Sequence, residues 1–252
     1  MVHGIEIFRE YFKEHAHQYV LIGGTACDIL MDDLGSSFRA TKDLDVVLII
    51  ESFDAKFSEQ LWKFINDGGY EHREKETSRN QFYRFIKPKN SSFPKQIELF
   101  CKLPDVIELG LNQRYTPLVV NDNIISLSAI LLDDNYYDLL ISRKKNLDEL
   151  SLIDIETAIV FKIKAWLDNK AKRESGEKIS STDVNKHKND VLRLLINISP
   201  STKIQLTDAV KYDVVQFIEK IREEKPDLKS LGIKGTNLED ILKILKDGFL
   251  ES

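Results

Sequence analysis

A chain of 252 residues that is 42% hydrophobic and 31% charged has the makeup of a soluble globular protein, with room for one large domain or two modest ones. Its formal charge of -5 provides no overall attraction to nucleic acid, so any such contact must use a local patch. No apolar run reaches membrane-spanning length, the start MVHGIEIFREYFKEH lacks the basic region and apolar core of a signal peptide, and Cys27 and Cys101 form no CxxC pair; a protein of the reducing cytoplasm with no membrane partner is expected.

In chain order, Ile5, Ile7, Phe8, Tyr11 and Phe12 fall at helical spacing and predict an amphipathic opening helix behind the first strand. That strand, Tyr19-Val20-Leu21-Ile22, runs into Gly23-Gly24-Thr25, and a helix is expected through Ala26 to Met31 until Gly35-Ser36-Ser37 breaks it. Residues 43–50 read as a second strand whose alternation puts Asp43 and Asp45 on one face and Leu44 and Val46 on the other. Phe57, Leu61, Phe64 and Ile65 predict a helix ending near Gly68-Gly69; strands follow at 81–87 and 96–100, separated by a turn-rich segment at 88–94. Over 124–142, apolar runs flank Asp133-Asp134-Asn135, which reads as a β-hairpin or a helix-turn insertion. Asp154 is the expected cap of a helix running past Trp166 to about Lys172, 173–181 is an expected exposed loop, and helical patterns resume at 185–196, 207–222 and 237–249. The expected fold class is α/β (α+β): a mixed sheet with flanking helices over residues 1–150, then a helical C-terminal region over 151–252.

Two features carry chemistry. Glycines at a strand-to-helix turn let backbone amides approach phosphate closely, the helix N-terminus adds partial positive charge, and the Thr25 hydroxyl adds a donor. Asp43 and Asp45, on one face at a strand's start, repel each other unless a cation sits between them. Each feature alone is common; in this order they have the form of a nucleotide-handling site. Glu98, in the strand-like Gln96-Ile97-Glu98-Leu99-Phe100, supplies a third carboxylate if its strand lies beside the Asp strand, and three can hold two divalent ions. Otherwise it is an outward residue on a half-exposed strand.

On these residues the chain resembles the nucleotidyltransferase superfamily, whose signature is a hydrophobic residue, Gly-Gly or Gly-Ser, a spacer, Asp-x-Asp and a distal carboxylate. The phrase Phe38-Arg39-Ala40-Thr41-Lys42-Asp43-Leu44-Asp45 looks most like the AbiEii-type branch, the toxin side of certain bacterial toxin–antitoxin and phage-abortive systems. Lys162-Ile163-Lys164-Ala165-Trp166-Leu167-Asp168 and Lys186-His187-Lys188-Asn189-Asp190-Val191 resemble that branch's later helical motifs. The matched motifs cover most of residues 19–195; the last fifty or so carry none, and the spacer from Thr25 to Asp43 is long for the superfamily at large. The resemblance implies a nucleotidyltransferase-type fold in which Gly23, Gly24 and Thr25 hold a nucleoside triphosphate such as ATP. Asp43 and Asp45 would bind magnesium, two ions being expected, with Glu98 completing the metal site and helping to deprotonate an acceptor hydroxyl. Lys162 would neutralise phosphate charge, and Asp190 would orient that lysine or the base and ribose end. Many members carry aspartate where Glu98 stands.

Read without the resemblance, Lys162 shares a face with Ile159, Ile163 and Trp166, so either a partner meets its amine or its stem covers apolar surface while the amine reaches water. Lys164 points elsewhere. Asp190 reads as an acid at a solvated helix start. Arg39 binds phosphate, ties down an Asp carboxylate, or makes a structural ion pair. The lysine-rich tract 170–188 reads as solvated and is the first place to look for phosphate contacts if the acceptor is RNA. His187 has no second ligand at metal-binding spacing.

The expected function is transfer of a nucleoside monophosphate to an RNA or tRNA end, with a protein side chain or a small molecule as other acceptors and an antitoxin as a partner. A non-catalytic nucleotide sensor of the same fold is the alternative. A glycosyltransferase using Asp-x-Asp has no need of the glycine turn upstream.

Overall fold

The structure, a computed structural model, describes residues 2–72, 83–102, 130–131 and 133–251. Its elements in order are α1 (Ile5–Phe12), β1 (Tyr19–Ile22), α2 (Gly23–Asp33), β2 (Asp43–Leu48), α3 (Ala55–Gly68), β3 (Glu71–His72), β4 (Tyr83–Ile86), β5 (Gln96–Cys101), α4 (Asp134–Arg143), β6 (Lys145–Leu147), β7 (Leu150–Leu152), α5 (Ile155–Glu174), α6 (Ser181–Leu195), α7 (Asp208–Glu224) and α8 (Leu238–Phe249). The fold is mixed α/β. The described residues group into two compact units: 2–72, 83–102 and Ile141–Asp154 in the first, and 130–131, 133–140 and 155–251 in the second.

The first unit holds one seven-stranded sheet in the order β3-β4-β5-β2-β1-β7-β6. β2 lies antiparallel to β1 and parallel to β5, and β1 runs parallel to β7 on its other side. All four residues of β1 are buried, which accounts for its unbroken apolar run. The expected α1 packs through Ile5, Phe8 and Phe12. In α3 the Asp54 side chain accepts the Phe57 amide, and Gly69 ends the helix in the left-handed conformation, as the Gly-Gly pair signalled. Phe64 is fully buried, edge-on to Phe8, Tyr11 and Phe12 and tilted against Tyr70 and Phe93.

Several expectations change. Asp134–Arg143 is a helix, which removes the hairpin reading there; Asp133 accepts the Asn135 amide at its start, while 124–129 and 132 lie outside the described residues. Residues 81–82 of the fourth strand lie outside them too. An unforeseen hairpin joins β6 to β7 through Asp148 and Glu149, both at positive φ (46° and 64°) without the Asn-Gly that usually marks such a turn.

The second unit is helical. α5 is buried on most sides, including Thr157 to Ile163, Ala165 and Trp166, so the sequence shows no clean polar face. Trp166 meets Phe217 of α7 edge-on at 5.2 Å. α6 starts at Ser181, four residues earlier than expected, because the Ser180 hydroxyl accepts the Asp183 amide. Among the described residues no helix is long and apolar enough to cross a membrane.

Phe64→Ala should lower stability by about 3–5 kcal/mol, the usual cost of emptying a buried aromatic site. A urea unfolding curve with an unchanged midpoint would show that the ring cluster is not the anchor of this unit.

Candidate functional site

The register of β1, β2 and β5 assembles the site. Ile22 is opposite Asp45, Asp45 is beside Glu98, and Asp43 is beside Gln96. Since side chains alternate across a sheet, Asp43, Asp45, Gln96 and Glu98 share one face, while Leu44, Val46, Ile97 and Leu99 are buried on the other. The shared face is half-exposed at Asp43 and Asp45 and closes over at Val47 and Phe100. The expected convergence of the Asp strand and the Glu98 strand is therefore present.

The glycine turn sits against this face. Gly23 has φ +70°, and a Cβ there would stand 1.8 Å from Asp45 Oδ2. A Cβ on Gly24 would come within 2.8 Å of Thr41 Oγ1, with Arg39 Nη2 3.6 Å away. Only glycine suits the first position, on both backbone and steric grounds. Arg39 thus lies beside the turn, with its guanidinium 5.6 Å from the Phe38 ring centroid. Thr25 is buried, and its hydroxyl donates to the Asp43 carbonyl oxygen at 2.6 Å. That hydroxyl ties the start of α2 to the start of β2 rather than pointing to an incoming group.

Glu98 is 5% exposed. Arg84, its neighbour on β4, donates through Nε to Oε1 at 2.8 Å and places Nη2 2.7 Å from the same oxygen; Gln96 Nε2 donates to it at 2.6 Å. Burial raises the Glu98 pKa above the usual carboxylate value and the nearby Asp43 charge adds to the rise, while Arg84 pulls it down. Sequence reasoning missed Arg84, which no motif marks; Gln96, two residues from Glu98 on the same strand face, was within reach of the alternation argument.

Among the described residues no three His, Cys, Asp or Glu side chains form a ready metal cage. Asp43 and Asp45 stand on the half-exposed part of this face, with Glu98 beside Asp45 in register.

The second unit brings the other expected pair together. Lys162 Nζ donates to Asp190 Oδ2 at 2.8 Å, with the lysine 6% exposed and the aspartate fully buried. Asp190 lies well inside α6, not at a solvated helix start, and Arg193 Nη1 stands 3.8 Å from its other oxygen. Lys164 is paired too, with Asp168 at 3.2 Å and Asp213 at 3.6 Å, and Asp213 also accepts the Tyr136 hydroxyl at 2.7 Å. Burial would lower the Lys164 pKa, but the two carboxylates raise it above the ordinary value. Lys170 and Lys188 both bond Glu224; although burial opposes it, these bonds hold the Glu224 carboxyl below its usual range. Two lysines of the 170–188 tract are thereby neutralised inside the unit.

No protein-family model matches the chain, and no curated protein matches it. Among solved structures, an antigenic nucleotidyltransferase-like protein from Paracoccidioides brasiliensis is similar over 94% of this chain and 94% of its own, at 13% identity and a TM-score of 0.47.

Gly23→Ala should cost about 1–2 kcal/mol from the left-handed backbone alone and push the Asp45 carboxylate aside; thermal unfolding at wild-type temperature would contradict the packing. Lys162→Met should destabilise by about 3–5 kcal/mol by stranding a buried carboxylate, with Lys162→Met/Asp190→Leu recovering much of the loss. Additive losses in that double-mutant cycle would show that the pair is not coupled.

Proposed function

We propose that this chain is a magnesium-dependent nucleotidyltransferase that moves a nucleoside monophosphate from a nucleoside triphosphate to an acceptor hydroxyl and releases pyrophosphate. The observation that carries the reading is the register placing the Gly23-Gly24 turn against Asp45, with Asp43 on the same open face. Phosphate binding and cation binding are then neighbours in space as well as in sequence. The resemblance of Gly23-Gly24-Thr25, Asp43-Leu44-Asp45 and Glu98 to the superfamily signature supports the same reading.

In this reading the Gly23 and Gly24 amides and the N-terminus of α2 receive the triphosphate, and Arg39 beside Gly24 adds a cation. Asp43 and Asp45 would hold magnesium with Glu98 next to them; the ion would screen triphosphate charge and ease deprotonation of the acceptor hydroxyl. Thr25 acts through the backbone, keeping the turn and Asp43 in fixed relation. Lys162, held by Asp190, is the cation that the resemblance assigns to phosphate. The AbiEii-like phrase around Arg39 to Asp45 favours an RNA end, tRNA included, as acceptor, in a cytoplasmic bacterial toxin with a cognate antitoxin. A nucleotide sensor without turnover is the second reading, favoured by the engagement of Glu98 with Arg84.

Label transfer tests the proposal: each α-labelled triphosphate with magnesium, the purified chain, and total RNA or cell protein, with Asp45→Asn alongside. The expected outcome is label in RNA, falling by more than about 100-fold in the variant, beyond what loss of an outer-shell partner produces. Label in protein would redirect the acceptor. Triphosphate binding with no transfer to any acceptor would favour the sensor, and full activity in Asp45→Asn would remove the metal assignment.

A further inference from the structure

Lys170 and Lys188 are both bonded to Glu224, so the tract 170–188 offers less positive charge than its composition suggests. The loop between α7 and α8 offers more. It borders a cavity of about 800 Å³, lined by residues 225–229 and 233–238 and lying wholly within the helical unit. Lys225, Lys229 and Lys234 are exposed members of that lining, and among the described residues none of the three makes an ion pair. Pro226, Leu228 and Leu238 are half-buried and Ile233 is buried, so the deeper lining is apolar. The one carboxylate of the lining, Asp227, accepts the Lys229 and Ser230 amides, and the Leu228 carbonyl accepts those of Leu231 and Ile233. These bonds and the buried Ile233 hold the loop in one shape before any ligand arrives.

Helix ends account for only one of these lysines. Lys225 follows α7 and complements the partial negative charge there, whereas Lys234 precedes α8, whose N-terminus favours anions, and Lys229 adjoins neither helix. The acids of the first turn of α8 are engaged, Glu239 by Arg222 and Asp240 by Asn237. Three lysines and one carboxylate thus surround an apolar floor in a chain whose formal charge is -5. We propose that this cavity receives a nucleotide of single-stranded RNA, with its base and sugar against the apolar floor and the adjoining phosphates on Lys225, Lys229 and Lys234. The choice of RNA rests on the nucleotidyltransferase reading, in which an RNA end is the favoured acceptor. The cavity is of a size that encloses a small ligand, so an unstacked nucleotide enters it, while a duplex keeps its bases stacked and offers only its backbone. An inorganic anion would use the lysines and leave the apolar lining without a function.

The test is fluorescence anisotropy of a labelled single-stranded RNA oligonucleotide with the full chain, over a series of salt concentrations and without triphosphate. Lys225→Gln/Lys229→Gln/Lys234→Gln should weaken binding by about 10-fold or more at low salt and make the plot of log affinity against log salt shallower by about 2, the loss of three phosphate contacts. Lys178→Gln/Lys220→Gln/Lys243→Gln, which removes the same charge elsewhere in the unit, should bind like the wild type. Leu238→Gln should weaken binding with the salt slope unchanged, and duplex RNA should bind more weakly than the single strand. Equal losses in the two triple variants would overturn the inference, as would a Leu238→Gln chain that melts like the wild type and binds undiminished; if that variant does not fold, the lysine comparison decides alone. Binding of polyglutamate, but not RNA, lost in the pocket variant would also overturn it, in favour of an acidic polypeptide. No RNA binding by the wild type would overturn the inference and leave the transferase with another acceptor. RNA binding lost in the pocket variant, without nucleotidyl transfer by the wild type, would keep the inference and count against the transferase.

Discussion

β2 is hydrogen-bonded along both edges, antiparallel to β1 and parallel to β5, and its register determines what the first unit can do. Asp43 and Asp45 are acids in an interior strand, a place where ionised groups are costly unless the face they occupy is open or compensated. The alternation meets that condition by keeping both on the half-exposed part of one face while Leu44 and Val46 fill the core behind. A slip of one residue would bury two carboxylates and expose the apolar set, so burial on one side enforces the geometry on the other. The glycine turn depends on the same register, because Ile22 opposite Asp45 brings Gly23 to within a missing Cβ of the Asp45 carboxylate.

Compensation of buried charge recurs through the molecule, with a different solution at each place. Glu98 meets Arg84 and Gln96 at a strand pair; Asp190 meets Lys162 between two helices; Glu224 gathers Lys170 and Lys188. Buried pairs of this kind add little net stability compared with apolar packing, yet they penalise any arrangement that separates the partners. Their effect is to hold particular functional groups in one orientation. At Glu98 this means that Arg84 and Gln96 hold one and the same carboxylate oxygen. At Lys162 it means that an amine on a largely buried helix meets a carboxylate inside the unit.

The sequence determined the elements whose residues carry their own local signal. Tyr19–Ile22 and Asp43–Leu48 are apolar runs bounded by turn residues, α3 shows helical spacing between an Asp cap and a Gly-Gly stop, and the face of Asp43 and Asp45 follows from strand alternation alone. The Gly-Gly turn and the Asp-x-Asp pair were likewise readable, since both depend on neighbours along the chain. Tertiary structure decided which strands adjoin, and with that whether Glu98 joins the Asp pair: strands distant in sequence pair through backbone groups that every residue possesses, so their composition does not name the neighbour. It also assigned Arg84 to Glu98, turned Thr25 toward the Asp43 carbonyl, and gave Lys164 and Lys170 acidic partners from α7. The β6–β7 hairpin went unread because Asp148-Glu149 lacks the Asn-Gly that marks such a turn, and over 134–143 the sequence left hairpin and helix-turn readings both open until packing decided for the helix.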